Sequence, residues 1–242
     1  MPALDWKSPF RALFFSVACL SAAILAACSP SAVSSDPDLA AFMQRFSHAE
    51  MDRSPEEADA LGLSVEAFGK RYHALLDDRS MAVAERTRTT RLDLLYELER
   101  INRGALSRES QRTYDTAIEI LRDTTAIEAH GHGVNGLGWA SPYLITFADG
   151  AFTDLIKFMT LHAPVRSRAD AEDWLTRLDN MDEALRDERR RFEVDIAAGV
   201  IPPRAIVQRT LDKARQLTPG ISREHPLVVY FIEQLAQIPD IP

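Results

Sequence analysis

The sequence predicts a mostly α-helical protein, an irregular multi-helix array with antiparallel helix hairpins and one glycine-rich loop. Three observations carry this expectation. From Asp36 onward apolar residues return at three- and four-residue steps, the period of one helix face. Helix-starting pairs such as Asp36-Pro37 and Ser54-Pro55, and helix-ending glycines such as Gly104 and Gly199, fall between those periodic runs. The connection between the first two long periodic runs is only a few residues, which forces them to lie antiparallel.

Taken in order, residues 1–27 read as a secretory signal peptide. Lys7 and Arg11 precede an uncharged run from Ala12 to Ala27, too short for a permanent membrane span. Its end, Leu25-Ala26-Ala27-Cys28, resembles the lipobox of bacterial lipoproteins, which implies lipid on Cys28 and cleavage before it. Several acyl chains, at about 0.8 kcal/mol per buried methylene, would make attachment to the membrane long-lived. Ser29, where an aspartate would signal inner-membrane retention, favours the outer membrane with the protein facing the periplasm. Residues 28–36, small and polar, form the expected tether, and residues 37–242 the helical domain. The other cysteine, Cys19, lies in the leader, so the mature chain has no internal disulfide and must rely on its core.

The whole chain carries 28 basic and 36 acidic residues, and removing Lys7, Arg11 and Asp5 with the leader leaves a net charge of −9. That balance argues against nucleic acid, or anionic lipid, as a partner of the whole surface.

In the helical domain, Asp36-Pro37 opens a helix whose stripe is Leu39, Phe42, Met43 and Phe46. Ser54 and Glu57 have capping-box spacing. A longer helix runs from about Met81 to Asn102 with Leu94, Leu95, Leu98 and Ile101 inward. Ser107 begins the next, with Tyr114, Ile118, Leu121 and Ile127 inward. Ser167 or Asp170 caps a third long helix, whose stripe is Trp174, Leu178, Met181, Leu185, Phe192 and Ile196. The run Arg186 to Arg191 reads as a solvated face, its cations paired with interleaved glutamates such as Glu188. Gly199 ends that helix, Pro202-Pro203 start another with Ile206, Leu211 and Ala214 packing, and His225-Pro226 introduce the last. Val228 to Ile232 are five consecutive apolar or aromatic residues, which cannot all face one core from one side of a helix. They call for cover on a second side.

Three stretches together carry a family resemblance: SPEEADALGL at 54–63, the glycine-rich segment from HGHGVNGLGW at 130 through to Leu178, and AAGVIPPRAIVQRTLDKARQL at 197–217. The chain is similar in them to the N-terminal half of the domain of unknown function 885 family. The resemblance implies a bacterial, often lipid-anchored, largely helical protein akin to zinc metallopeptidases, and here an incomplete metallopeptidase-like fold. It also implies that zinc in full-length relatives is held in the other half, by a His-Glu-x-x-His helix in which residues four apart offer two imidazoles to one ion. None of His48, His73, His130, His132, His162 or His225 begins such a pattern. The expectation is therefore no catalytic residue, metal ligand or cofactor in this chain, with the membrane and either a peptide substrate or the missing half as its partners; the alternatives are a stand-alone binding or scaffold lipoprotein, or one fragment of a split peptidase.

His130 and His132 sit one residue apart among four glycines. A zinc site needs three or four ligands, and the neighbouring sequence offers no third, so the stretch reads as a turn in which glycines take positive φ. It can still line a substrate channel, with His130, His132 and Tyr143 as the candidate contacts. Trp139 reads as a loop anchor and Trp174 as core; Asp170 and Asp173 read as complements of a helix N-terminus rather than a catalytic pair.

Overall fold

The computed structural model describes residues 35–137, 139–217 and 223–238. Cys28, with the leader and most of the tether, lies outside the described residues. Helices dominate, as expected: α1 (Asp36–Arg53), α2 (Pro55–Ala60), α3 (Val65–Phe68), α4 (Met81–Glu99), α5 (Arg108–Glu128), α6 (Ala151–Leu161), α7 (Arg168–Ala197), α8 (Arg204–Leu217) and α9 (Pro226–Leu235). A 3-10 turn, Arg103–Ala105, joins α4 to α5. The glycine-rich stretch is a small antiparallel hairpin, β1 (Val134–Gly136) and β2 (Trp139–Ser141), with Asn135 opposite Ala140. Trp139 thus lies on a strand.

The α4–α5 hairpin packs against α1 around Phe42, Leu94, Leu98, Tyr114, Ile118 and Leu121. Phe42, Leu98 and Leu121 are wholly buried, each worth roughly 1.5–3 kcal/mol of burial. Ser80, Ser107 and Ser167 cap α4, α5 and α7 by accepting from the N–H groups of Val83, Ser110 and Asp170. The expected capping box at Ser54 does not form. Ser54 instead donates to the Asp77 carboxylate at 3.0 Å, and the Glu56 N–H donates to the same side chain at 3.0 Å. Asp36 accepts from the Ser107 N–H at 2.9 Å, tying the start of α1 to the α4–α5 connection.

A second core lies where α6, α7 and α9 meet. Trp174 donates its indole N–H to the Met159 carbonyl at 3.0 Å, and Phe231 stacks on its ring at 4.5 Å. Two expectations fail in this region. On α7, Trp174 is buried, but Leu178, Leu185 and Ile196 are 37%, 36% and 41% exposed. On α8 no residue is buried, so Leu211 does not pack as expected. Ile127 at the end of α5 is also exposed, its place inside taken by Glu128. The Val228 to Ile232 run behaves as its pattern demands: Tyr230 and Phe231 turn inward, while Val228, Val229 and Ile232 face out. Among the described residues no helix is long and apolar enough to cross a membrane.

Candidate functional site

The most organised chemistry sits on the inner face of α7. Arg177, Ala184, Glu188 and Asp195 are all buried, and their spacing of seven, four and seven residues puts them on one side of the helix. Each charged residue fixes a different loop. Arg177 donates to Asp59 Oδ2 at 2.6 Å and to the carbonyls of Leu75 and Tyr72 at 2.9 and 3.1 Å. The other oxygen of Asp59 meets His73 Nδ1, so one buried carboxylate joins α2, α7 and the loop between α3 and α4. Glu188 accepts from the Ala151 N–H at 2.7 Å and so caps α6 across the fold. This corrects the reading of Glu188 as part of a solvated face. Its neighbours keep that face, with Arg189 paired to Glu193 and Arg190 to Asp187.

Asp195 holds the hairpin. Its Oδ2 accepts from the Gly133 N–H at 3.3 Å, while Arg191 reaches the Gly133 carbonyl at 3.5 Å. Gly133 has φ +73°, and a Cβ there would stand 2.2 Å from the Ser141 carbonyl oxygen, so only glycine fits the crossing. The His132 Nδ1 lies 3.4 Å from Asp195 Oδ1. It is near enough for electrostatic attraction but not aligned for a hydrogen bond, and it stays without a partner.

The three histidine-loop candidates are held separately. His130 is exposed at the end of α5, where its N–H donates to the Ile127 carbonyl at 3.0 Å. His132 is half-buried against Asp195, and Tyr143 is half-buried after β2, its carbonyl accepting from Ser141 at 2.9 Å. Asp170 accepts from the Arg166 N–H at 3.0 Å, and Asp173 pairs with Arg71 instead of serving the helix end.

Burial shapes the electrostatics of this inner layer. Arg79 grips Glu56 through two hydrogen bonds of 2.7 and 3.1 Å. Asp77 beside them is pushed up to about 6 by burial and by the charge of Glu56. Burial also raises Glu188 and Asp154 and lowers Arg191. A second buried cluster lies in the α1–α4–α5 unit, where Arg91, 1% exposed, joins Glu50 to Glu128. Burial opposes the charge of Glu50, but Arg91 and Arg53 outweigh it and hold Glu50 below the usual value. A cavity of about 240 Å³ opens beside this cluster, lined by residues including Glu50, Arg53, Thr87 and Arg91. It is remote in sequence from the hairpin and includes neither His132 nor Tyr143.

Among the described residues no group of three or more His, Cys, Asp or Glu side chains is placed to hold a metal ion. His73 and His132 each meet one carboxylate, short of the three or four ligands of a zinc site, so the donor set does not fit that ion. What the arrangement does is position: one helix sets the α3–α4 loop, the start of α6 and the hairpin relative to one another. Sequence reasoning missed Arg177 and Asp195 because charges at core spacing read as surface. Their seven-residue multiples from Ala184 and Glu188 were the available signal.

A family model described as bacterial protein of unknown function (DUF885) matches residues 55–241. A candidate lipoprotein from Colwellia psychrerythraea, solved by crystallography, shares the fold with a TM-score of 0.78 at 18% identity. That likeness covers 87% of this chain and 36% of the other, so the chain spans little more than a third of that relative. Among curated proteins, none matches.

Proposed function

The chain belongs to the DUF885 family of bacterial proteins, and on that footing we propose that it is the helical, non-catalytic part of a zinc-peptidase-like lipoprotein, anchored by lipid on Cys28. The observation that carries this is the fold likeness that takes in 87% of this chain yet 36% of a longer one. The domain then stands on the periplasmic face of the outer membrane, held by the 28–36 tether. Its task is to shape one wall of a substrate channel for peptides. α7 locks the hairpin in place through Asp195 and Arg191, and the segments on either side of the hairpin present His132 and Tyr143. The charge needed to activate water would be supplied by a metal held in another part of the family fold. The residues here orient and exclude.

The purified mature protein tests this. Elemental analysis should find no stoichiometric zinc, and a peptide library should stay intact. Bound zinc with peptide cleavage would overturn the reading. Radiolabelled palmitate should enter the wild-type chain and not the Cys28→Ser variant. The DNA beyond the Pro242 codon separates two versions of the role. A continuing or adjacent frame with His-Glu-x-x-His supports part of a peptidase; unrelated sequence supports a stand-alone binding lipoprotein, for which the exposed α8 and α9 faces would be the contact.

A further inference from the structure

We propose that Asp195 is a positioning residue for His132, turning the imidazole so that Nε2 faces outward as a hydrogen-bond acceptor for the backbone N–H of a peptide. The inference deepens the reading of the hairpin region as a channel wall and rests on it.

The backbone under His132 is held from both sides. Before it, the N–H groups of His130 and Gly131 donate to the Ile127 and Glu128 carbonyls at 3.0 Å each, carrying the end of α5 into the segment. After it, α7 takes both polar groups of Gly133: Asp195 Oδ2 accepts from the N–H at 3.3 Å, and Arg191 donates to the carbonyl at 3.5 Å. His132 is the residue between these two clamps. A side chain on so short a fixed span has little freedom of direction.

The ring is divided between two environments. Nδ1 is sealed from water without a hydrogen-bond partner and lies 3.4 Å from Asp195 Oδ1, yet 36% of the side-chain surface is exposed. Nε2 is not sealed, so the exposed edge is the one that carries it. The Asp195 side chain is 9% exposed, and a carboxylate accepts and does not donate. A bare Nδ1 would therefore set its lone pair against an oxygen lone pair where water cannot reach, a costly arrangement. With the proton on Nδ1 the two groups attract, and Nε2 keeps its lone pair toward solvent, because what one ring nitrogen meets decides the state of the other. The contact is long and poorly aligned without a ligand, as such pairs often are until substrate tightens them. Every peptide bond other than one to proline supplies an N–H donor, and the outward Nε2 is an acceptor that fits it.

Proton–nitrogen correlation NMR of the histidine rings tests this on the purified mature chain at about pH 8, where an ordinary imidazole is neutral. The expected result is a proton on Nδ1 of His132. A proton on Nε2, or on both nitrogens, overturns the proposal. In Asp195→Asn the amide oxygen stays on the Gly133 N–H and the NH2 group turns to the ring, so the proton should move to Nε2 in the folded variant; the wild-type spectrum decides by itself where the variant does not fold. A purely structural tie would fix the tautomer and leave Nε2 indifferent to peptides. A library of capped tetrapeptides should shift the Nε2 resonance, whereas the same library methylated on its backbone nitrogens should not. A resonance unmoved by the first library, or moved equally by both, overturns the substrate contact. The two readings fail separately: a proton on Nε2 ends this inference alone, whereas bound zinc with peptide cleavage by the isolated chain ends the non-catalytic reading and leaves the tautomer as it is.

Discussion

The α1–α4–α5 unit and the α7–α9 region draw on the same kinds of apolar residue at the same helical spacing, yet they end differently. In the first, Phe42, Leu98 and Leu121 meet one another and are sealed from water. In the second, Leu185, Ile196, Leu211 and Ile232 remain between 36% and 55% exposed. The difference is not amphipathicity but opposition. The hairpin between α4 and α5 returns a second stripe against the first, whereas the inner side of α7 is spent on Arg177, Glu188 and Asp195. A helix whose core side is charged leaves its apolar flank only partly covered among the described residues.

The largest expected contrast comes from truncating one side chain in each region. Phe42→Ala should cost about 3–5 kcal/mol in urea unfolding, while Leu185→Ala, at a residue 36% exposed, should cost less, on the order of 1 kcal/mol. Equal losses would erase the distinction. Next in size, Arg91→Ala strands Glu50 and Glu128 in the first region and should cost on the order of 3 kcal/mol, at the low end because Arg53 remains beside Glu50. Gly133→Ala probes the link between the regions, since the new methyl group meets the Ser141 carbonyl. Strain of this kind costs roughly 1–3 kcal/mol, and proteolysis should open the hairpin while the α4–α5 unit stays resistant.

The smallest effect is in pH. Asp77, raised to about 6 from 3.8, holds its proton more tightly folded than unfolded, so stability should rise as pH falls from 7 through 6. Glu188 and Asp154 act in the same direction. Glu50 acts the opposite way: held below 4.5, it contributes fully above that value and is lost as pH falls through its lower folded value. The melting temperature should therefore peak in mild acid, and Asp77→Asn should flatten the rise between pH 7 and 5. A steady fall over that interval in the wild type would contradict the assignment.

Local signals made most of the helices legible. Ser107 and Ser167 cap where serine before a periodic run says they should, and Gly199 ends α7 with φ +84°. The Val228 to Ile232 run announced a need for two-sided cover, and Val228, Val229 and Ile232 are 38%, 38% and 55% exposed among the described residues. What failed was tertiary. Ser54 answers to Asp77, more than twenty residues away, so the local capping-box rule that pairs it with Glu57 misassigned it. Along α7 the apolar residues were read as the core stripe, but competition with the buried charges rotated the helix away from that choice. Asp195 as the anchor of the hairpin was invisible because its partner Gly133 lies 62 residues earlier. Pairings at that distance leave no periodic trace.

Native-state hydrogen exchange on the purified mature chain tests the asymmetry most directly, because it reads local opening residue by residue. The slowest amides should lie in α4 and α5 and in the Trp174 end of α7, with α8 exchanging fastest among the long helices. Protection of α8 equal to that of α4 and α5 in the isolated chain would contradict the account, since it would mean that the second region is already covered.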